Sequence, residues 1–159
     1  MTEGTGIPDE LKAMVGTMTE PIIIEVERGA IRRYADAVDD QNPLFRDVEY
    51  AKNSRYGEII CPPGFFGWPI KGGGLEKMMG VIMPAMFKAG LFRVLDGGVD
   101  QEFFLPIHAG DVLTCYGKIA DIREREGRSG KMLFVTLEDT YLNQNGDVVA
   151  KARSTLIAR

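Results

Sequence analysis

KMLFVTLEDTYLNQNGDVVAKARSTLIAR, residues 131–159, decides the fold. Its two halves, 131–143 and 148–159, are rich in β-branched and aromatic residues. NQNGD (143–147) separates them, and Asn145-Gly146 is a strong short-range signal for a hairpin. Upstream, DVLTCYGKIADIRE (111–124) is a third long β-rich run, joined to the second through EGRSG (126–130), and VDQEFFL (99–105) is a shorter one before it. Three long runs joined by short turns predict an antiparallel meander. The first third of the chain follows a different pattern. A short helix is expected from near Pro8 to Gly16. PIIIEVE (21–27) fits a buried strand. AIRRYADAV (30–38) places Ile31, Tyr34, Ala35 and Val38 at helical spacing, with Arg32, Arg33 and Asp36 on the polar side. Asn42-Pro43 ends that helix, because a residue before proline avoids the α region. DVEYAKNSRYG (47–57) reads as one more short helix, ending at Gly57. Helices followed by an antiparallel sheet make an α+β fold. With no internal repeat and no low-complexity linker, residues 1–159 are expected to form one domain.

The middle is the least regular part. CPPGFFGWPIKGGG (61–74) is punctuated by proline and glycine. After it, Leu75, Met78, Met79, Ile82 and Met86 fall on one helical face, and this Met-rich helix is the natural cover for the apolar side of the sheet. Two readings of the stripe stay open: plain core packing, or an adaptable wall for an apolar ligand, since thioethers repack easily.

Composition narrows the functional classes. The chain is 45% hydrophobic and 26% charged, with net charge −4 and no Lys/Arg cluster longer than a pair, so a nucleic-acid surface is not expected. No basic segment followed by an apolar run opens the chain, and MMGVIMPAMF (78–87) is too short to span a bilayer. A cytoplasmic protein without a membrane partner is expected, with Cys61 and Cys115 as reduced core residues. One histidine and no close cysteine pair leave no zinc site. GGGLEKMMG (72–80) lacks the ending of a phosphate-binding loop.

The stretch with catalytic character is DDQNPLFRD (39–47), which crowds acids, an amide and a proline into one turn. AIRRYADAVDDQNPLFRDVEYA (30–51), YGEIICPPGF (56–65) and PIHAGDVL (106–113) together resemble the MaoC-like hydratase/dehydratase family, and within it the N-terminal-type, fatty-acid-synthase-like dehydratase domain. The resemblance runs from about Glu20 to the end and is weakest over residues 68–93. It implies a hot-dog fold, an antiparallel sheet wrapped around a central helix, built as dimers or double hot-dogs. It also implies acyl thioesters of coenzyme A or acyl carrier protein as ligands and water addition or removal across the 2,3 bond; no cofactor is expected. The family motif Asp-x-Asn-Pro-x-His falls on Asp40, Asn42, Pro43 and Phe45, so the histidine is missing.

Hydration needs a group that orients and deprotonates water and a group that manages the α-carbon proton, which a His/Asp pair can do near neutral pH. A thioester oxygen gathering enolate charge also wants backbone N–H donors, which the PPGF turn could supply through Gly64. Phe45 can carry no proton, and loss of one general acid/base costs roughly 10² to 10⁴ in rate. The single histidine, His108, lies far along the chain and reads as a surface or interface residue. The expected protein is therefore a subunit of a (3R)-hydroxyacyl-thioester dehydratase or enoyl-CoA hydratase, the non-catalytic half that binds the acyl tail. Its expected partner is a second MaoC-like subunit with the intact motif, or else a second copy of itself. The expected binding residues are Asn42, Pro43, Gly64, Trp68, Met78, Met79 and Met86, with Asp40 the remnant of the catalytic pair. The bland readings stand beside these: Asp40 and Asn42 as turn formers, Phe45 and Trp68 as packing aromatics. The competing functions are a stand-alone acyl-thioester-binding scaffold or regulator, and a hot-dog thioesterase using Glu76 on the Met-rich helix.

Overall fold

The computed structural model describes residues 7–69, 74–127 and 130–159, and of residues 68, 69 and 74–76 the backbone only. Three long strands form the expected meander: β4 (Val112–Gly127), β5 (Gly130–Leu142) and β6 (Val148–Ala158). β1 (Ile22–Glu25) joins β4 on one side and is itself flanked by the two-residue β2 (Trp68–Pro69). β3 (Val94–Phe103) joins β6 on the other side. The six-stranded antiparallel sheet therefore runs β2-β1-β4-β5-β6-β3. The expected alternation in β4 holds for Leu113, Cys115, Gly117 and Ile119 and then shifts, because an irregularity between Ile119 and Asp121 brings Ile122 onto the buried face. An extra residue of this kind bends and twists a strand, which curls the long sheet.

The short α1 (Asp9–Ala13) opens the described chain, and inside the curl lies α4 (Gly74–Lys88). Met78, Ile82, Ala85 and Met86 recur with helical spacing and are buried against Ile119, Ile122, Leu133, Val135, Leu137 and Leu156. Fully burying a side chain of this size contributes about 1.5–3 kcal/mol, so this stripe anchors the helix to the sheet. The result is the hot-dog fold. A second buried group gathers Ile22, Ile24, Val26, Ile31, Ala35, Phe45, Ile59, Phe65, Ile107, Leu113 and Cys115. It is built by β1, the start of β4, α2 (Arg28–Ala37) and the segments that follow α2.

Several local expectations are revised. PIIIEVE is half-buried rather than buried: Ile22 and Ile24 point inward and Ile23 is exposed. Val38 lies just beyond the end of α2 and is 55% exposed. The strand expected from Val99 begins at Val94: Gly97-Gly98 is a bulge within β3, where Gly98 takes φ +108° and its N–H donates to Asp96 Oδ1 at 2.8 Å. The Asn145-Gly146 turn carries positive φ only at Gly146; Asn143 Oδ1 organises it by accepting from the N–H groups of Asn145 and Asp147, each at 3.0 Å. Among the described residues, no helix is long and apolar enough to cross a membrane.

Candidate active site

The DDQNPLFRD segment leaves α2 by a tight reversal. Asp39 takes φ +54°, a conformation aspartate tolerates better than most residues. The Asp40 N–H donates to Ala35 O, closing the helix end. Asp40 Oδ1 then accepts from the Asn42 N–H at 2.9 Å, and Asn42 Oδ1 accepts from the Leu44 N–H at 3.1 Å. Pro43, its φ preset, starts a single 3₁₀ turn, Pro43–Phe45. α3 (Val48–Lys52) follows, capped by Asp47 Oδ1, which accepts from the Tyr50 N–H. Each of the two motif side chains thus spends an oxygen on its own turn, leaving Asp40 with its second carboxylate oxygen and Asn42 with its amide N–H₂. Arg46 folds back over the turn: it pairs with Asp36 at 3.0 Å and donates to Asp40 O, while its Nε is buried with no partner among the described residues.

Phe45 is only 5% exposed and belongs to the first buried group. One side of it borders a cavity of about 390 Å³ lined by Arg28, Arg32 and Arg46. The other side forms the wall of a cleft of about 570 Å³, together with Asn42, Tyr56, Pro62, Phe103 and Phe104. Arg55 supplies charge on that wall, its guanidinium 4.7 Å above the Tyr56 ring. Cys61 also borders the cleft, but burial and then the nearby Asp111 push its thiol up to about 12, so it stays protonated and is a poor nucleophile.

The PPGF segment turns at Pro63-Gly64, where Gly64 has φ +92° and Phe65 N–H donates back to Pro62 O at 3.1 Å. A Cβ on Gly64 would stand 3.4 Å from the Tyr34 hydroxyl and 3.7 Å from Gln101 Oε1. The Gly64 N–H itself has no partner among the described residues. The structure therefore brings Asn42, Phe45 and the PPGF turn to one region. It does not bring Met78 and Met86 there: both are buried in the second group, between α4 and the sheet, with Met79 half-buried beside them. The side chains of Trp68 and Glu76 lie outside the described residues. His108 sits beyond the cleft; its N–H donates to Asp111 Oδ2 at 2.7 Å and its ring approaches the same carboxylate.

One group was overlooked in the sequence. Asp139 lies on the inward face of β5 between Leu137 and Tyr141, opposite Gly117 of β4 and Ala152 of β6. Burial pushes its carboxyl up to about 6. Nearby, burial and then the Asp139 charge raise the Cys115 thiol to about 12, although the Tyr141 hydroxyl donates toward its sulfur. The strict alternation of Leu133, Val135, Leu137, Asp139 and Tyr141 was the available signal: it puts an acid on an otherwise apolar face.

A model of the FAS1-like dehydratase domain region matches residues 13–152. The chain belongs to this family. As a member of the FAS1-like dehydratase domain region family, it has relatives that share most of its length. A UPF0336 protein of Thermobifida fusca is 34% identical over 138 residues, covering 85% of this chain and 84% of the relative. A probable enoyl-CoA hydratase alpha subunit of Thermomonospora curvata is 26% identical over 170 residues, covering 97% of this chain and 52% of that subunit. Among solved structures, the ChsH1–ChsH2 complex from Mycobacterium tuberculosis superposes with a TM-score of 0.76 at 17% identity, covering 94% of this dehydratase domain and 86% of the matched chain.

Proposed function

We propose that this chain is one half of a heteromeric (3R)-hydroxyacyl-thioester dehydratase (enoyl-CoA hydratase), the half that helps hold the acyl thioester while a second MaoC-like subunit carries the proton-transferring histidine. The observation that carries the reading is Phe45. A phenyl ring packed into an apolar core occupies the position at which the family motif has its imidazole, so this chain has no group there to take a proton from water. What the chain retains suits binding. The Asn42 amide and the Gly64 N–H are free to donate to a thioester or its carrier arm, and the cleft beside Phe45 offers apolar walls with Arg55 at hand for an anionic carrier. Asp40 keeps one oxygen for a ligand contact.

The test is reconstitution. The chain is co-expressed with hot-dog proteins of the same source that carry the intact Asp-x-Asn-Pro-x-His motif, and hydration of a trans-2-enoyl thioester is followed. The chain alone should show only background turnover and the co-purified complex full turnover. Ordinary enzymatic turnover by the chain alone, near 10 s⁻¹ or above, would overturn the reading. The stand-alone scaffold reading predicts thioester binding with no partner and no hydration in any mixture.

A further inference from the structure

We infer that the free edge of β3 is charge-coded against pairing with its own copy, and that it selects a second hot-dog subunit whose edge strand carries basic side chains. The inference rests on the heteromeric reading above and names what makes the partner different from this chain. Among the described residues β3 ends the sheet and pairs with β6 alone, so its other edge presents backbone N–H and C=O groups that have no partner strand there. Such an edge is a template for another strand. Val99 and Phe103, on the inward side opposite Ser154 and Ala150, are 56% and 42% exposed, and Phe104, just beyond the strand, is 47% exposed. Phe103 and Phe104 also line the cleft that holds Asn42 and Phe45. A strand docked on β3 would therefore both cover apolar surface and border the candidate site.

The outward side of the same strand carries Asp100 and Glu102, and β3 has no lysine or arginine. Across β6 they face Arg153 and Lys151, but Arg153 is drawn to Glu138 on the far side, at 2.8 Å. Consider two copies paired antiparallel through β3 about a two-fold axis normal to the sheet. Residues directly opposite each other point to the same face. An axis at Gln101 sets Asp100 against Glu102 twice over; an axis at Asp100 or at Glu102 sets that acid against itself. Like charges directly opposite each other destabilise a strand pair. Sliding the register away from these meets the Gly97-Gly98 bulge in one direction and Pro106, which has no N–H to give, in the other. Every well-formed self-pairing thus meets acid with acid, whereas a partner strand with lysine or arginine at those positions gains from both.

The experiment reads self-association by sedimentation equilibrium for the wild type, for Asp100→Asn/Glu102→Gln, for Asp100→Lys/Glu102→Lys, and for an equimolar mixture of wild type with the Lys variant, each shown to be folded by circular dichroism. The neutral variant should self-associate at least tenfold more tightly than the wild type, and the mixture should form a heterodimer at least tenfold tighter than either component alone. Phe103→Asp should abolish both effects. If Lys beside Arg153 and Lys151 prevents folding, the neutral variant carries the test alone. Wild type that self-associates as tightly as the neutral variant overturns the proposal, as does a complete set that stays monomeric at the highest soluble concentration. None of these readouts uses substrate. The proposal can therefore fail while reconstituted hydration succeeds, which would place the partner on another face, or hold while hydration fails, which would remove the catalytic reading.

Discussion

Around the Asp40–Phe45 turn, the chain is held by polar groups that satisfy their own neighbours: Asp40 bonds Asn42, Asn42 bonds Leu44, and Asp47 caps the next helix. Around α4 the opposite holds. Met78, Ile82 and Met86 have no polar role and are fixed by apolar packing, on β4, β5 and β6 and on Leu11 of the N-terminal helix. Both regions contain residues singled out as ligand contacts, yet the turn keeps spare donors and acceptors beside an open cleft while the methionines are used up in the core. A polar motif can serve structure and ligand together because an amide or carboxylate has more than one bonding site. A buried thioether has only its contact surface, and the core already takes that.

The predictions probe this contrast. The largest effect is catalytic. In the reconstituted complex, removing the partner's motif histidine should lower hydration roughly 10²- to 10⁴-fold, whereas Asp40→Ala in this chain should lower it less than tenfold. Phe45→His should not substitute for the partner, because the imidazole would sit in an apolar group with one nitrogen unpaired; steady-state rates on the complexes check all three, and near-complete loss from Asp40→Ala would move the chemistry into this chain. Next, Met86→Ala should cost about 2–5 kcal/mol of stability by cavity formation, measured by denaturant unfolding, and leave acyl-chain preference unchanged. Altered chain preference at full stability would instead put the methionine on the acyl path.

Asp139 lies on β5 between Leu137 of one buried group and Tyr141 beside the other, and its effect is pH-dependent. Burial raises its pKa from about 4 to about 6. Below about pH 4 the carboxyl is protonated whether the chain is folded or not, and it costs nothing. Between about pH 4 and 6 the unfolded chain gives up the proton more readily, so this group's contribution to stability falls as pH rises and stays low above about 6. Asp139→Asn should remove that slope and stabilise the fold at neutral pH by about 1–3 kcal/mol; melts at several pH values read it, and an unchanged slope would count against the burial of the carboxyl. The smallest effect belongs to the turn: Asn42→Ala should cost about 0.5–2 kcal/mol through loss of its bond to Leu44, and it should weaken thioester binding by the complex if the Asn42 amide touches the ligand.

Much of the fold was legible because its signals are local. The β-rich runs and the turns between β4, β5 and β6 fixed three strands and their order, and the helical spacing of Met78, Ile82 and Met86 marked the helix that fills the sheet. Signals that depend on parity across a bulge were not legible: the Gly97-Gly98 bulge interrupts the β-rich run and leaves the first part of β3 outside the expected strand, and the shift after Ile119 cannot be seen without its partner strand. The exposure of Val38 and Ile23 likewise follows from where neighbouring elements stop, which a single segment does not encode.

The sequence by itself determined that this is an α+β chain with a meander, a Met-rich covering helix and a family motif whose proton-carrying position holds Phe45, since all of these depend on residue type and spacing along the chain. Only the tertiary structure decided how those residues are used: Met78 and Met86 go to the core while Asn42 faces a cleft, His108 stands apart from it, Asp139 meets Gly117 inside the curl, and β3 is left as a free acidic edge. Those outcomes turn on which strands become neighbours, and pairing between segments far apart in the chain sets both what a side chain touches and which edge is left open.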